Sequence, residues 1–238
     1  MARLVTKATL RLRARREADM EFSQLADDEE VDQYINDSAA EFYDLVLAQD
    51  PDYFLNPTPF SITLTSGVDT YALPADFYKL RGVDTQLSAV ANQWITLEPF
   101  NFKQRNLYNW APVNWNILGV ANVKYHLMGP TGGVAQIKFI PGPLSPQTIR
   151  LWYVPACPTL VAETDSLDGV NGWDEYVVVD TAIKLLQKEE SDTALLMARK
   201  AALMERIAAM APSRDSGTAP VTVDKFSANS FPFPDDGF

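Results

Sequence analysis

Apolar positions along the chain change their period three times. From Asp27, Val31, Tyr34, Ile35, Phe42, Leu45 and Val46 recur at helical spacing. Asp27 and Asp28 suit an N-cap, and Glu29 and Glu30 suit a first helical turn. This helix is predicted to run to about Ala48, where Asp50-Pro51-Asp52 stops it. Upstream, about 6–24, the chain is polar and arginine-rich. Leu10 and Leu12 give any helix there only a thin apolar face.

Between about 60 and 155 the period becomes two. Ser61–Thr65, Gln136–Phe139 and Thr148–Val154 alternate apolar with polar, as half-buried strands do. Val68–Leu73, Tyr78–Thr85, Gln93–Leu97 and Val123–Leu127 are further strand candidates. Ser66-Gly67 and Gly129–Gly133 mark turns, the second a hairpin. Strands this short and evenly spaced predict a small sandwich or barrel. Residues 100–121 are less regular and are expected to form a long loop rich in aromatic residues.

Past Asp165–Gly169, expected to be a polar turn, the helical period returns. Trp173 to about Glu190 carries Tyr176, Val179, Ile183 and Leu186 on one face. Ser191 and Asp192 can cap a second helix bearing Leu196, Leu203, Ile207 and Met210, which Pro212 ends. Residues 212–238 show no periodicity. Prolines 212, 220, 232 and 234 are interspersed with Phe226, Phe231, Phe233 and Phe238.

The predicted fold class is α+β: an antiparallel helical bundle with an inserted small β-sandwich or barrel domain and an extended C-terminal arm. Residues 1–55 supply the N-terminal helices, 56–160 the β-rich insertion, 161–211 the C-terminal helices and 212–238 the arm. The helices on either side of the β region are expected to pack together, since each has one apolar face.

Composition narrows the function classes. At 47% hydrophobic residues the chain is a folding one. No apolar run reaches the ~18 residues of a membrane span, and the start does not read as a signal peptide. A soluble product made in a cytoplasm is the expectation. A net charge of −11 argues against a general nucleic-acid binder. The charge is uneven, however. Residues 1–20 hold Arg3, Lys7, Arg11, Arg13, Arg15 and Arg16 against Glu17 and Asp19, while residues 21–52 hold no lysine or arginine. Either these are contact surfaces of opposite sign or they are two solvated helix faces.

Candidate chemistry is sparse. Cys157 is the one cysteine and His126 the one histidine, so neither a disulfide nor a typical zinc site can be assembled within the chain. Cys157 has no basic neighbour in sequence and reads as an inert packed or loop thiol. His126 lies in a predicted strand, and no G-x-S-x-G motif accompanies it. Gly129–Gly133 lacks the lysine of a phosphate loop. The spacing of Glu163, Asp165 and Asp168 does not fit a calcium loop. No enzyme activity and no cofactor are expected. Trp110 and Trp115, among asparagines, serve either core packing or contact with a partner.

Several segments in order resemble one family. They are Glu30-Val-Asp-Gln-Tyr-Ile-Asn-Asp-Ser38, Thr70-Tyr-Ala-Leu-Pro-Ala-Asp-Phe77, Ile137-Lys-Phe-Ile-Pro141, Leu151-Trp-Tyr-Val-Pro155 with Pro158-Thr-Leu160 behind it, and Trp173-Asp-Glu-Tyr-Val-Val-Val-Asp180. Together, over roughly 27–210, they resemble the head–tail adaptor (connector) proteins of short-tailed and related bacteriophages. The resemblance implies a virion protein at the head–tail interface, a homo-oligomeric ring commonly of twelve copies below the portal protein. Such a ring docks tail nozzle, hub or fibre proteins and extends a channel through which genomic DNA passes without specific binding. It implies no membrane. Partner contacts are then expected from Arg11, Arg13, Arg15 and Arg16, from Trp110 and Trp115, and from Phe226, Phe231, Phe233 and Phe238. Rival readings are another neck or tail-completion protein, and a carbohydrate- or ligand-binding β module built on Trp110 and Trp115.

Overall fold

A computed structural model describes residues 3–23, 25–86, 93–108, 123–131 and 133–211. Its elements in chain order are β1 (Leu4–Thr6), α1 (Lys7–Glu17), α2 (Asp28–Gln49), β2 (Phe60–Leu64), β3 (Thr70–Ala72), β4 (Phe77–Gln86), β5 (Trp94–Thr96) and β6 (Glu98–Pro99). A 3₁₀ turn at Phe102–Gln104 and the short α3 (Arg105–Tyr108) follow. Then come β7 (Lys124–Thr131), β8 (Val134–Ile140), β9 (Gln147–Pro155), β10 (Ser166–Asp168), α4 (Glu175–Lys188) and α5 (Ala194–Met210).

The fold is mixed α+β. Helices α1, α2, α4 and α5 share one apolar core with β1 and β10. Its fully buried side chains include Leu10, Val31, Ile35, Phe42, Leu185 and Ile207. α2 and α4 run in opposite directions: Glu30 meets Lys188 at one end, and Glu41 meets Tyr176 at the other. α2 starts where the acidic run predicts, with the Asp27 carboxylate accepting from the Glu30 backbone N–H at 2.8 Å.

The β region builds two four-stranded sheets, ordered β2-β9-β4-β5 and β3-β8-β7-β6. All their pairings are antiparallel except β6 with β7. Period-two alternation sends Val83, Ile137, Phe139, Ile149 and Leu151 into one shared core. The strands expected from that alternation are present, shifted by a few residues at their ends. The β7–β8 hairpin turns at Gly133, whose φ of +86° suits glycine.

A closed barrel does not form. No strand pairs from one sheet to the other among the described residues. The four edge strands, β2, β3, β5 and β6, have only two to five residues, too few to tilt across and join the sheets.

Two further differences from the sequence expectation fall in connecting segments. The turn expected at Asp165–Gly169 contains β10, which pairs antiparallel with β1. Part of the loop expected at 100–121 is the 3₁₀ turn and α3, while 109–122 lie outside the described residues. So does the C-terminal arm, 212–238.

The β10–α4 connection is tightly built. A Cβ added at Gly169 would stand 2.7 Å from Asp174 Oδ1 and 2.8 Å from its Cβ. Asp174 is fully buried and accepts from Arg13, so it has little room to yield. Gly169→Ala is expected to lower the unfolding free energy by about 2 kcal/mol, the scale of an overpacked core. Chemical denaturation of the two proteins checks it.

Candidate functional site

Short arginine-rich α1 forms because its few apolar residues are well spaced and its charges find partners. Leu10 and Ala14 sit one turn apart and are fully buried, with Ala18 following. Around them, α1 and α2 interlock through charge. Lys7 is only 4% exposed, and its Nζ donates to Asp32 at 2.7 Å and to the Val161 carbonyl at 2.6 Å. Arg11 grips the same Asp32 carboxylate with two bonds, of 2.8 and 2.7 Å, and also reaches Glu163 at 2.7 Å. Arg15 donates to the Ala26 carbonyl at 2.8 Å and to Asp28 at 2.9 Å. Burial raises the Asp32 pKa, but the bonds from Arg11 and Lys7 outweigh it and the net direction is down.

Arg13 turns the other way, to the buried carboxylate of Asp174 ahead of α4. Arg16 pairs with Glu21 at 3.1 Å and remains more than half exposed. The four arginines expected to meet partners thus all have carboxylates within the chain, and Arg16 keeps the most solvent exposure of the four. The uneven charge read in the sequence is in large part the two faces of one helix pair. Trp110, Trp115, Phe226, Phe231, Phe233 and Phe238 lie outside the described residues.

A second polar cluster joins α2, α4 and α5. Asp180, 3% exposed, accepts from Ser38 at 2.6 Å and Lys200 at 2.6 Å, and pairs with Lys184 at 2.8 Å. Burial pushes its pKa up, yet Lys184, Lys200 and Ser38 bring it below the ordinary value. Lys200 also lies 5.1 Å from the centre of the Tyr176 ring. This cluster is not legible in the sequence, because a lone aspartate among valines carries no spacing signature.

Apolar side chains remain uncovered on the helical half. α5 buries Leu196, Leu203 and Ile207, while Leu195 is 83% exposed and Met197 53%. Between α1 and α2 Phe22 is 92% exposed and lines one surface hollow together with Leu12, itself 42% exposed. Clusters of this kind on a folded chain mark contact surfaces.

A third apolar feature lies where the helical and β regions meet. Tyr43 and Leu47 of α2 pack on Val154 of β9, helped by Phe54 and Cys157. Tyr43 stacks on Phe54 with ring centres 4.0 Å apart, and its hydroxyl donates to the Pro155 carbonyl at 2.7 Å. Val154 breaks the alternation of β9 because it faces this joint. Two cavities open beside Tyr43. One, about 270 Å³, is lined by Leu4, Phe54, Pro155, Pro158, Leu167 and the polar Ser166 and Asp168. The other, about 240 Å³, is lined by Ala40, Asp44, Tyr78, Ala156 and Cys157. Burial pushes the Cys157 thiol up to about 11, which keeps it protonated near neutral pH. His126 lies between the rings of Phe100 and Phe102, at 5.3 and 5.4 Å.

Among the described residues no group of His, Cys, Asp and Glu is placed to hold a metal ion, and no helix is long and apolar enough to cross a membrane. What these surfaces can do chemically is bind other protein. The family profile of the SU10 adaptor protein matches residues 5–224. No curated protein matches the chain.

Proposed function

Since the chain belongs to the SU10 adaptor protein family, a family of phage structural proteins, we propose that it forms a ring at the head–tail interface. The ring, commonly of twelve copies, joins the portal protein to the tail and extends the DNA channel. The observation that carries this reading is the exposed apolar surface of the helical half. Phe22 and Leu195 lie almost wholly open in the single chain, and a ring of copies stacked on a portal would cover such side chains. The β region then faces outward or toward the tail components.

Charge is consistent with a passage for DNA. At a net charge of −11, an acidic lumen would repel phosphates and let the genome slide without being gripped. The arginines do not oppose this, because most of their charge is met by carboxylates of the same chain. The domain division at 56–160 and the contact role of the arm, 212–238, belong to the same proposal. The arm's four phenylalanines would anchor each copy to a partner.

Imaging by electron microscopy of the chain mixed with its portal protein tests the reading. Closed rings attached to the portal are expected, and deleting 213–238 should leave the helices and β region folded while weakening attachment. A strictly monomeric chain that never engages the portal refutes the proposal.

A further inference from the structure

The cavity pair at Tyr43 has the chemistry of a receptor for aromatic side chains. Its walls are mostly aromatic rings, prolines and apolar side chains, with one carboxylate in each cavity, Asp44 in one and Asp168 in the other. Its dividing wall is rigid, because Tyr43 is 4% exposed, stacked on Phe54 and tied to the Pro155 carbonyl. At about 240 and 270 Å³ the cavities fall below the roughly 300–1,000 Å³ usual for small-molecule sites. They suit single side chains better than a cofactor. Grooves lined by aromatic residues take proline-rich segments, whose restricted backbone loses little entropy on docking.

This chain carries such a segment. Phe231-Pro-Phe-Pro234 places two phenylalanines one proline apart. Two closely spaced rings offer one side chain to each of two cavities that share Tyr43 as a lining residue. The 27 residues after Ala211 have a maximum reach of about 90 Å, enough to pass from one copy to the next.

We propose that Phe231 and Phe233 of one copy seat in the two cavities beside Tyr43 of a neighbouring copy. The inference rests on the ring reading, since a ring sets the cavity pair of one copy beside the arm of another. It gives the arm an acceptor within the ring. Each copy is then tied to the next by a strap that adds to face-to-face packing.

Photo-crosslinking of the full chain tests the seating. Phe233 is replaced by p-benzoylphenylalanine, and the product is mixed with isotope-labelled chain of natural sequence and irradiated. Crosslinks are expected between copies, on peptides carrying Tyr43 or Pro155–Pro158. Ala40→Glu or Leu4→Asp in the acceptor copy, each placing a charge in one cavity wall at an exposed position, should cut the yield about tenfold. Crosslinks confined to a single copy, crosslinks elsewhere, or a yield indifferent to both substitutions would overturn the seating. Sedimentation of the same sample reports assembly separately. Rings without this crosslink sink the seating alone, whereas a chain that stays monomeric even with its portal protein added sinks the ring reading with it.

Discussion

Replacing Asp180 with alanine is expected to lower the unfolding free energy by about 4 kcal/mol, within the ~3–5 kcal/mol typical of breaking a buried ion pair from one side. Asp180 is the single acceptor that Ser38, Lys184 and Lys200 converge on, and its side chain is 4% exposed. Without it the two ammonium groups, 22% and 25% exposed, lose their nearest carboxylate and keep only the longer contacts with Glu41, at 3.4 and 3.3 Å. Ser38 sits at the same spot, fully buried. α5 should loosen first, because Lys200 is one of its main ties to α4. Urea unfolding followed by tryptophan fluorescence measures the loss. Hydrogen exchange across 194–210 should rise before exchange in the β region does. The same variant should show a weaker acid dependence. The Asp180 carboxyl has a lowered pKa in the fold, so its contribution is present above the unfolded value near 3.9 and is lost as pH falls through the folded one. A midpoint unchanged by the substitution at pH 7 would refute this account of the cluster.

Asp32→Ala is expected to cost about 3 kcal/mol. It removes the carboxylate shared by Lys7 and Arg11, whose side chains are 5% and 15% exposed. The Asp32 side chain is 18% exposed against 4% at Asp180, so the loss falls short of that at Asp180. The asymmetry between partners is informative. Arg16→Ala removes an exposed pair with Glu21 and should change stability by less than about 0.5 kcal/mol. Raising salt should narrow the Arg16 effect further and leave the Asp32 effect largely intact. Comparing midpoints of the two variants at low and high salt checks the contrast.

The strands of the β region were legible in sequence because each buries one face, and period two survives even in a five-residue strand such as Phe60–Leu64. α2, α4 and α5 were legible for the matching reason at period 3.6. β1 and β10 were not. Each has three residues, and the pairing of Val5 with Leu167 joins positions that no local pattern connects. The arginines showed the limit most clearly. Their clustering was plain, but their partners depended on how α1 lies against α2 and on where Glu163 and Asp174 come back in space. Charge along a chain reports supply, and only the fold decides where it is used. The Tyr43 cavities were equally hidden. Their walls come from Leu4, α2, the stretch after it, β4, the end of β9 and β10, six segments brought together by tertiary packing.

The β1–β10 pairing has a consequence for the order in which the protein takes shape during synthesis. The shared core of the two four-stranded sheets draws on residues between Leu64 and Leu151, so all its parts have been made before α4 exists. The helical core needs Val5 and Leu167 paired, and α4 laid against α1 and α2. It can close only after some 180 residues have been added beyond β1. Until then α1 and α2 emerge from the ribosome with Leu10, Val31, Ile35 and Phe42 still lacking α4. The carboxylates that pair with Lys7, Arg11 and Arg15 are already present at Asp28 and Asp32. A helix pair held early by charge is soluble while its apolar faces wait, a useful state for a nascent chain exposed to its neighbours.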